Sequence, residues 1–237
     1  EGSLDDLYKN NREKFLEYNK KDVELMKKLD EKLKVVDFFD NIRRYARCRF
    51  EDVYHNSKII DQMILCESKN MGVVLPSHGD FKKENKVKGA FVIEPKIGLY
   101  KNVYCCDFKS LYPSIIISLN VSPETVLAVK EEGCINVLDT YYYKKEEGFI
   151  PRILIKLFEK RESYKDILRE YSPTDSEYKV YDGLQYAVKV ILNSFYGIMG
   201  SPYFRLFDVR LQETTTMIGR DIIKHIRKTL EENNTTV

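Results

Sequence analysis

No stretch of this 237-residue sequence approaches the ~18 apolar residues of a membrane-crossing helix, and no N-terminal stretch has the build of a signal peptide. No membrane partner is therefore expected. An excess of one charge is missing too: 39 Lys and Arg stand against 37 Asp and Glu, a net +2, so composition alone gives no basic field for nucleic acid. Cysteine is sparse and odd in number. Cys48, Cys66, Cys105, Cys106 and Cys134 include no C-x-x-C pair, which argues against a zinc site or a disulfide framework and for buried, reduced thiols. His55, His78 and His225 are scattered and form no ligand set, and no internal repeat occurs. Glu1 is not a start methionine, as expected of a piece excised from a longer protein. What is present, 43% hydrophobic and 32% charged residues, is the balance of a soluble globular protein of one or two domains.

The stretch with the most chemistry is Asp107-Phe108-Lys109-Ser110-Leu111-Tyr112-Pro113-Ser114-Ile115-Ile116. Val103-Tyr104-Cys105-Cys106 before it reads as a buried strand, which would put Asp107 at the edge of the core. A carboxylate short of water needs a partner, a proton or a cation. A short helix is expected to start near Pro113, and its first-turn N–H groups suit phosphate oxygens. The plain structural reading makes Asp107 a turn residue ending a strand. The full string closely resembles motif A of the family B DNA polymerases, the archaeal-type replicative members in particular.

A second stretch points the same way. From Pro151 the pattern is helical through Ile153, Leu154, Leu157 and Phe158, and Ser172-Pro173-Thr174-Asp175 marks a turn before another helix. The two helices are expected to form an antiparallel hairpin. Arg161 and Lys165 are four apart on the first; Lys189, Asn193 and Tyr196 share a face of the second. Taken alone, the latter is a helix with a solvated Lys and a glycine C-cap at Gly197. The run Lys189-Val190-Ile191-Leu192-Asn193-Ser194-Phe195-Tyr196-Gly197 also resembles motif B, K-x-x-x-N-S-x-Y-G, at every fixed position.

Upstream, residues 11–34 carry an amphipathic helical pattern with a break near Asn19, and 36–75 carry two more apolar stripes. Tyr18 and Asp22, on one helix face, are similar to the family's third exonuclease motif, in which the Asp binds metal and the Tyr places water; by pattern alone they are a solvated face. The family's Asp-x-Glu exonuclease pair does not occur in the chain. Residues 77–86 read as a linker. Val87-Lys88-Gly89-Ala90-Phe91-Val92 sits where the family often has a template-contacting Tyr-x-Gly-Gly, but Val87 and Ala90 depart from that pattern. Residues 126–148 are expected to hold a hairpin.

The resemblance implies an α+β fold: a partial polymerase palm, an antiparallel sheet with helices, plus a two-helix fingers hairpin. It divides the chain into 1–35, the tail of a 3′–5′ exonuclease domain; 36–101, connecting helices and linker; 102–148, palm with motif A; 149–199, fingers with motif B; and 200–237, palm continuing to just before motif C. The implied chemistry is attack of a primer 3′-hydroxyl on the α-phosphate of a deoxynucleoside triphosphate, with Mg²⁺ as cofactor. Asp107 and the Phe108 carbonyl would hold metal; Asp107 and Lys189 would be catalytic. Ser110, Leu111 and Tyr112, with Arg161, Lys165, Lys189 and Asn193, would bind the nucleotide, and Tyr112 would lie under its sugar where a 2′-hydroxyl clashes. Tyr196 and Gly197 would line the nascent base pair.

No Asp-Thr-Asp motif C occurs in the chain, so by itself it is expected to be inactive and to depend on a second polypeptide or segment carrying motif C and the thumb. Primer-template DNA is the expected partner. The implied location is the prokaryotic cytosol or nucleoid, or a eukaryotic nucleus. The alternative is a non-catalytic DNA- or protein-binding module that keeps the fold. The set at positions 107, 161, 165 and 189 argues against that module, and the missing Asp-x-Glu pair argues against a nuclease.

Overall fold

A computed structural model describes residues 3–77 and 89–233. His78, most of the expected linker and the first two residues of the 87–92 stretch lie outside the described residues. The order is α1 (Leu4–Asn10), α2 (Arg12–Leu33), α3 (Val35–Ala46), a 3₁₀ turn (Phe50–Asp52), α4 (Asn56–Met71), α5 (Leu111–Ser118), β1 (Val126–Leu127), β2 (Ile135–Val137), β3 (Tyr141–Tyr143), α6 (Phe149–Leu168), α7 (Ser176–Met199) and α8 (Val209–Glu232). The α+β expectation holds in coarse form: mostly helix, with one small antiparallel sheet in the order β1-β3-β2. The hairpin expected within 126–148 is β2–β3, with Ile135 opposite Tyr143, and β1 adds a third strand.

Local chemistry sets the helix ends. The Asn11 side chain accepts from the Lys14 N–H at 3.0 Å and starts α2, which runs unbroken through the expected break near Asn19. Asp175 precedes α7, and its carboxylate accepts the Ser172 N–H at 2.8 Å, tightening the turn out of α6. Both α6 and α7 present apolar residues every three or four positions. Ile150, Leu154 and Leu157 of α6 meet Val188, Ile191, Leu192 and Phe195 of α7 in the core, with Ile42, Ile60 and Ile64 of α3 and α4 and Ile116 of α5. Each such side chain contributes about 1.5–3 kcal/mol by leaving water. Helices α5, α7 and α8 also pack on one another, which matters for the site below.

The loop after α5 is tied to the start of α6. Asn120, almost fully buried, donates from Nδ2 to the carbonyls of Lys144 and Glu146, both at 2.7 Å, and its Oδ1 accepts the Gly148 N–H at 2.7 Å. Ser122 Oγ accepts the Ile150 N–H at 3.2 Å, and Glu124 accepts the Phe149 N–H. The first-turn N–H groups of α6 are thus capped from a distant loop, with a carboxylate at the positive end of the helix.

Several expectations are corrected. Residues 103–106 form no strand, and all four are exposed. A strand needs neighbours to take its backbone hydrogen bonds, and the three strands among the described residues pair with one another instead. Cys105 and Cys106 are therefore exposed, not buried, and the other three cysteines are half-buried. The 11–34 stripe is helical, yet neither α1 nor α2 buries any residue; Leu16, Val23, Met26 and Leu33 stay exposed. Helix α7 passes Gly197 and ends with Gly200 at its C-cap.

Candidate active site

The site is built around the start of α5. Ser110 adopts a left-handed conformation (φ 53°) and turns the chain into the helix, whose first turn has no side-chain cap. Ser110 and Leu111 are half-buried at this helix start, an end of the kind that suits an anion. Asp107 and Phe108 precede the turn and are exposed. The desolvated carboxylate expected at Asp107 is thus not seen, because the strand that would bury it does not form. The carboxylate and the Phe108 carbonyl are hard oxygen donors of the kind Mg²⁺ takes. Among the described residues, no three His, Cys, Asp or Glu side chains gather as a metal cluster. The donor set therefore fits a cation held by one carboxylate together with phosphate and water, the lower end of what Mg²⁺ uses.

Two expected site residues meet directly. The Tyr112 ring of α5 lies against the Tyr196 ring of α7, centroids 4.2 Å apart and planes 36° from parallel. Burial, with Tyr112 beside it, raises the Tyr196 phenol above its usual pKa, while a hydrogen bond with Gln212 and the charge of Arg220 pull it back. Tyr112 also meets Gly219 of α8: a Cβ there would stand 3.0 Å from Tyr112 Cε1. Gly200 does the same for the end of α7, where a Cβ would overlap the Gln212 side chain. The two bare positions let α8 approach both motif stretches closely.

The cations are arranged less simply. Lys189 and Asn193 are exposed on the solvent face of α7, opposite Val188, Ile191, Leu192 and Phe195; Lys189 Nζ stands 5.9 Å over the Tyr186 ring. Gly197, on the same side, has open space at its Cβ position. Arg161 Nε donates to Gln185 Oε1 at 3.4 Å, crossing from α6 to α7. Lys165 pairs with Glu162 at 3.5 Å, and Lys109 donates to the same Glu162 oxygen at 2.6 Å. Those contacts hold the Glu162 carboxyl below the usual range, Lys109 foremost, against a smaller opposing effect of burial. Tyr18 and Asp22 sit exposed on α2, which contributes nothing to this core.

Sequence reasoning missed Lys109, Glu162, Gln212, Gly219 and Arg220. Lys109 lies inside the motif string. Glu162 lies beside Arg161, and its acid charge next to two expected phosphate-binding cations was the available signal. The others lie on α8, where only apolar periodicity was read. Of the 87–92 stretch, Gly89 lies against α8, its carbonyl accepting from Arg220 Nη1 at 3.0 Å.

The family model for DNA polymerase family B matches residues 50–237. The chain belongs to that family. A DNA polymerase of Archaeoglobus fulgidus is 40% identical to it over 182 residues, 73% of this chain and 22% of that protein. DNA polymerase 1 of Pyrococcus abyssi is 31% identical over 209 residues, 83% of the chain and 27% of the relative. Among solved structures, the family B DNA polymerase of Pyrobaculum calidifontis matches with a TM-score of 0.73 at 30% identity, covering 86% of this chain and 28% of that one. The family B chain thus spans roughly a quarter of the length of these archaeal relatives. Among its described residues, no helix is long and apolar enough to cross a membrane.

Proposed function

We propose that this chain is the palm-and-fingers part of a DNA-directed DNA polymerase. Residues 102–148 and 200–237 belong to the palm, 149–199 are the fingers, 36–101 connect, and 1–35 are the end of an exonuclease domain. The observation that carries the reading is the contact of Tyr112 with Tyr196. It joins the motif A stretch to the motif B stretch at one point, where a nucleotide's sugar and base would both be within reach.

In this reading the substrates are a primed DNA template and a deoxynucleoside triphosphate. The primer 3′-oxygen forms a bond to the α-phosphorus, the bond to the bridging oxygen breaks, and pyrophosphate leaves. Asp107 and the Phe108 carbonyl would hold Mg²⁺, which when bound supplies activation of the attacking oxygen and neutralises charge on the leaving one. The N–H groups of Ser110 and Leu111 would meet the triphosphate oxygens. Arg161, Lys165 and Lys189 add charge from the helical hairpin, Arg as a fork of donors and Lys as point charges. Asn193 joins them from the same face of α7 as Lys189. Tyr112 excludes a 2′-hydroxyl, and Tyr196 with Gly197 borders the nascent pair.

The chain carries one carboxylate of the expected catalytic set and no motif C, so by itself it is expected to make no DNA. The same holds for proofreading, with Tyr18 and Asp22 as the exonuclease residues present. The test is primer extension. The chain alone should not extend a primed template, and addition of a polypeptide carrying motif C and the thumb should restore extension. Robust synthesis by the chain alone would sink the proposal, as would a completed enzyme that still fails although Asp107 is intact.

A further inference from the structure

The ring of Tyr112 meets two other helices. Tyr196 of α7 covers one face at a centroid distance of 4.2 Å, already contact distance for two tilted rings. Helix α8 also passes close to the ring, at Gly219. A Cβ at Gly219 would be 3.0 Å from Tyr112 Cε1 and 3.8 Å from Tyr112 Cδ1, with Ile115 Cδ1 also at 3.8 Å. Carbon atoms prefer ~3.5–4.0 Å, so the ring would have to give way. Gly219 lies well inside the 24-residue helix α8 and has no positive φ. Backbone conformation therefore does not require glycine there, and in a helix interior glycine is the poorer choice beside alanine. The contact with Tyr112 is the feature at this position that needs a missing side chain.

We infer that Gly219 is a positioning residue for sugar selection: its bare Cα sets where the Tyr112 ring stands. The inference rests on the reading of Tyr112 as the residue under the nucleotide sugar. A methyl at position 219 presses on the Tyr112 ring edge, and the ring is already in contact with Tyr196. The ring must then shift from the place it guards. Sugar discrimination should relax although no residue touching the nucleotide has been changed.

The experiment measures single-nucleotide incorporation of ribonucleotide against deoxynucleotide on a primed template, in the enzyme completed with motif C. Parent, Gly219→Ala, Tyr112→Ala and the double variant are compared. Gly219→Ala should raise the ribonucleotide-to-deoxynucleotide ratio by about tenfold, the scale of coupling between touching residues. In the Tyr112→Ala background, adding Gly219→Ala should change the ratio no further, because the ring it acts through is gone. A folded, active Gly219→Ala enzyme with the parent's ratio, beside a Tyr112→Ala enzyme whose ratio has risen, overturns the inference alone. An unchanged ratio in Tyr112→Ala removes the gate, and this inference with it. Should Gly219→Ala not fold, the double variant decides: removing the ring must restore folding, and continued misfolding overturns the inference.

Discussion

Lys109, two residues after Asp107, donates its ammonium to Glu162 of α6 at 2.6 Å, bridging 53 positions of sequence. The same carboxylate oxygen stands 3.5 Å from Lys165. One acid thus gathers a cation from the motif A stretch and another from the helical hairpin. An exposed pair of this kind adds little to stability, but it fixes where two long side chains rest.

The first prediction concerns pH. Glu162 is held below its ordinary carboxyl pKa of 4.5, chiefly by Lys109. A depressed pKa contributes stability that is present above the ordinary value and is lost as pH falls through the folded one. Glu162 is more than a third exposed, so screening keeps this contribution under about 1 kcal/mol. Glu162→Gln should lower the urea midpoint slightly near neutral pH and leave it unchanged in acid, well below the folded pKa. A gap of the same size at both pH values would mean that the carboxylate's charge is not the source.

The second concerns nucleotide use. Lys189→Ala in the completed enzyme should weaken the dependence of incorporation on nucleotide concentration by about 1.5–3 kcal/mol, or roughly 10–150-fold. Primer-template affinity should change little if Lys189 serves the triphosphate as proposed. Titrating single-nucleotide incorporation gives the answer; a parental nucleotide dependence would take Lys189 out of the site.

The third separates two roles for Tyr112. The ring is only partly buried among Tyr196, Gly219 and its neighbours. If packing is its whole role, Tyr112→Ala costs up to about 3–5 kcal/mol of stability and leaves sugar choice alone. If it guards the sugar, ribonucleotide incorporation rises relative to deoxynucleotide. The second outcome is expected. Melting and the incorporation ratio should be measured on the same preparation, and an unchanged ratio in a folded, active variant leaves Tyr112 as packing.

The fourth is structural. Asn120 is left-handed (φ 54°) and holds two carbonyls and one N–H at the junction of α5 and α6. Asn120→Ala strands those groups, the Gly148 N–H buried and the two carbonyls partly so, and puts a less tolerant residue at positive φ, so the loss should reach about 3 kcal/mol. Urea unfolding followed by far-ultraviolet circular dichroism measures it. A loss below about 1 kcal/mol would mean that water replaces the side chain there.

The sequence by itself determined what depends on near neighbours along the chain. Apolar residues at three- and four-residue spacing specify α6 and α7, and Lys189, Asn193 and Tyr196 share a face because the helix repeat requires it. The string at 107–116 pointed to the family, and the family match over 50–237 bears this out. Only the tertiary structure decided what depends on contacts between distant segments. Residues 103–106 have the composition of a strand, but pairing partners decide whether one forms, and composition names none. The stripe on α2 is periodic, yet periodicity does not say what covers it. Glu162 reads as an ordinary helix acid until α5 brings Lys109 to it, and Gly219 as an ordinary weak spot in α8 until the Tyr112 ring is seen against it. In both cases the physical fact is a short distance across a packed interface, and that distance exists only once the helices have been docked.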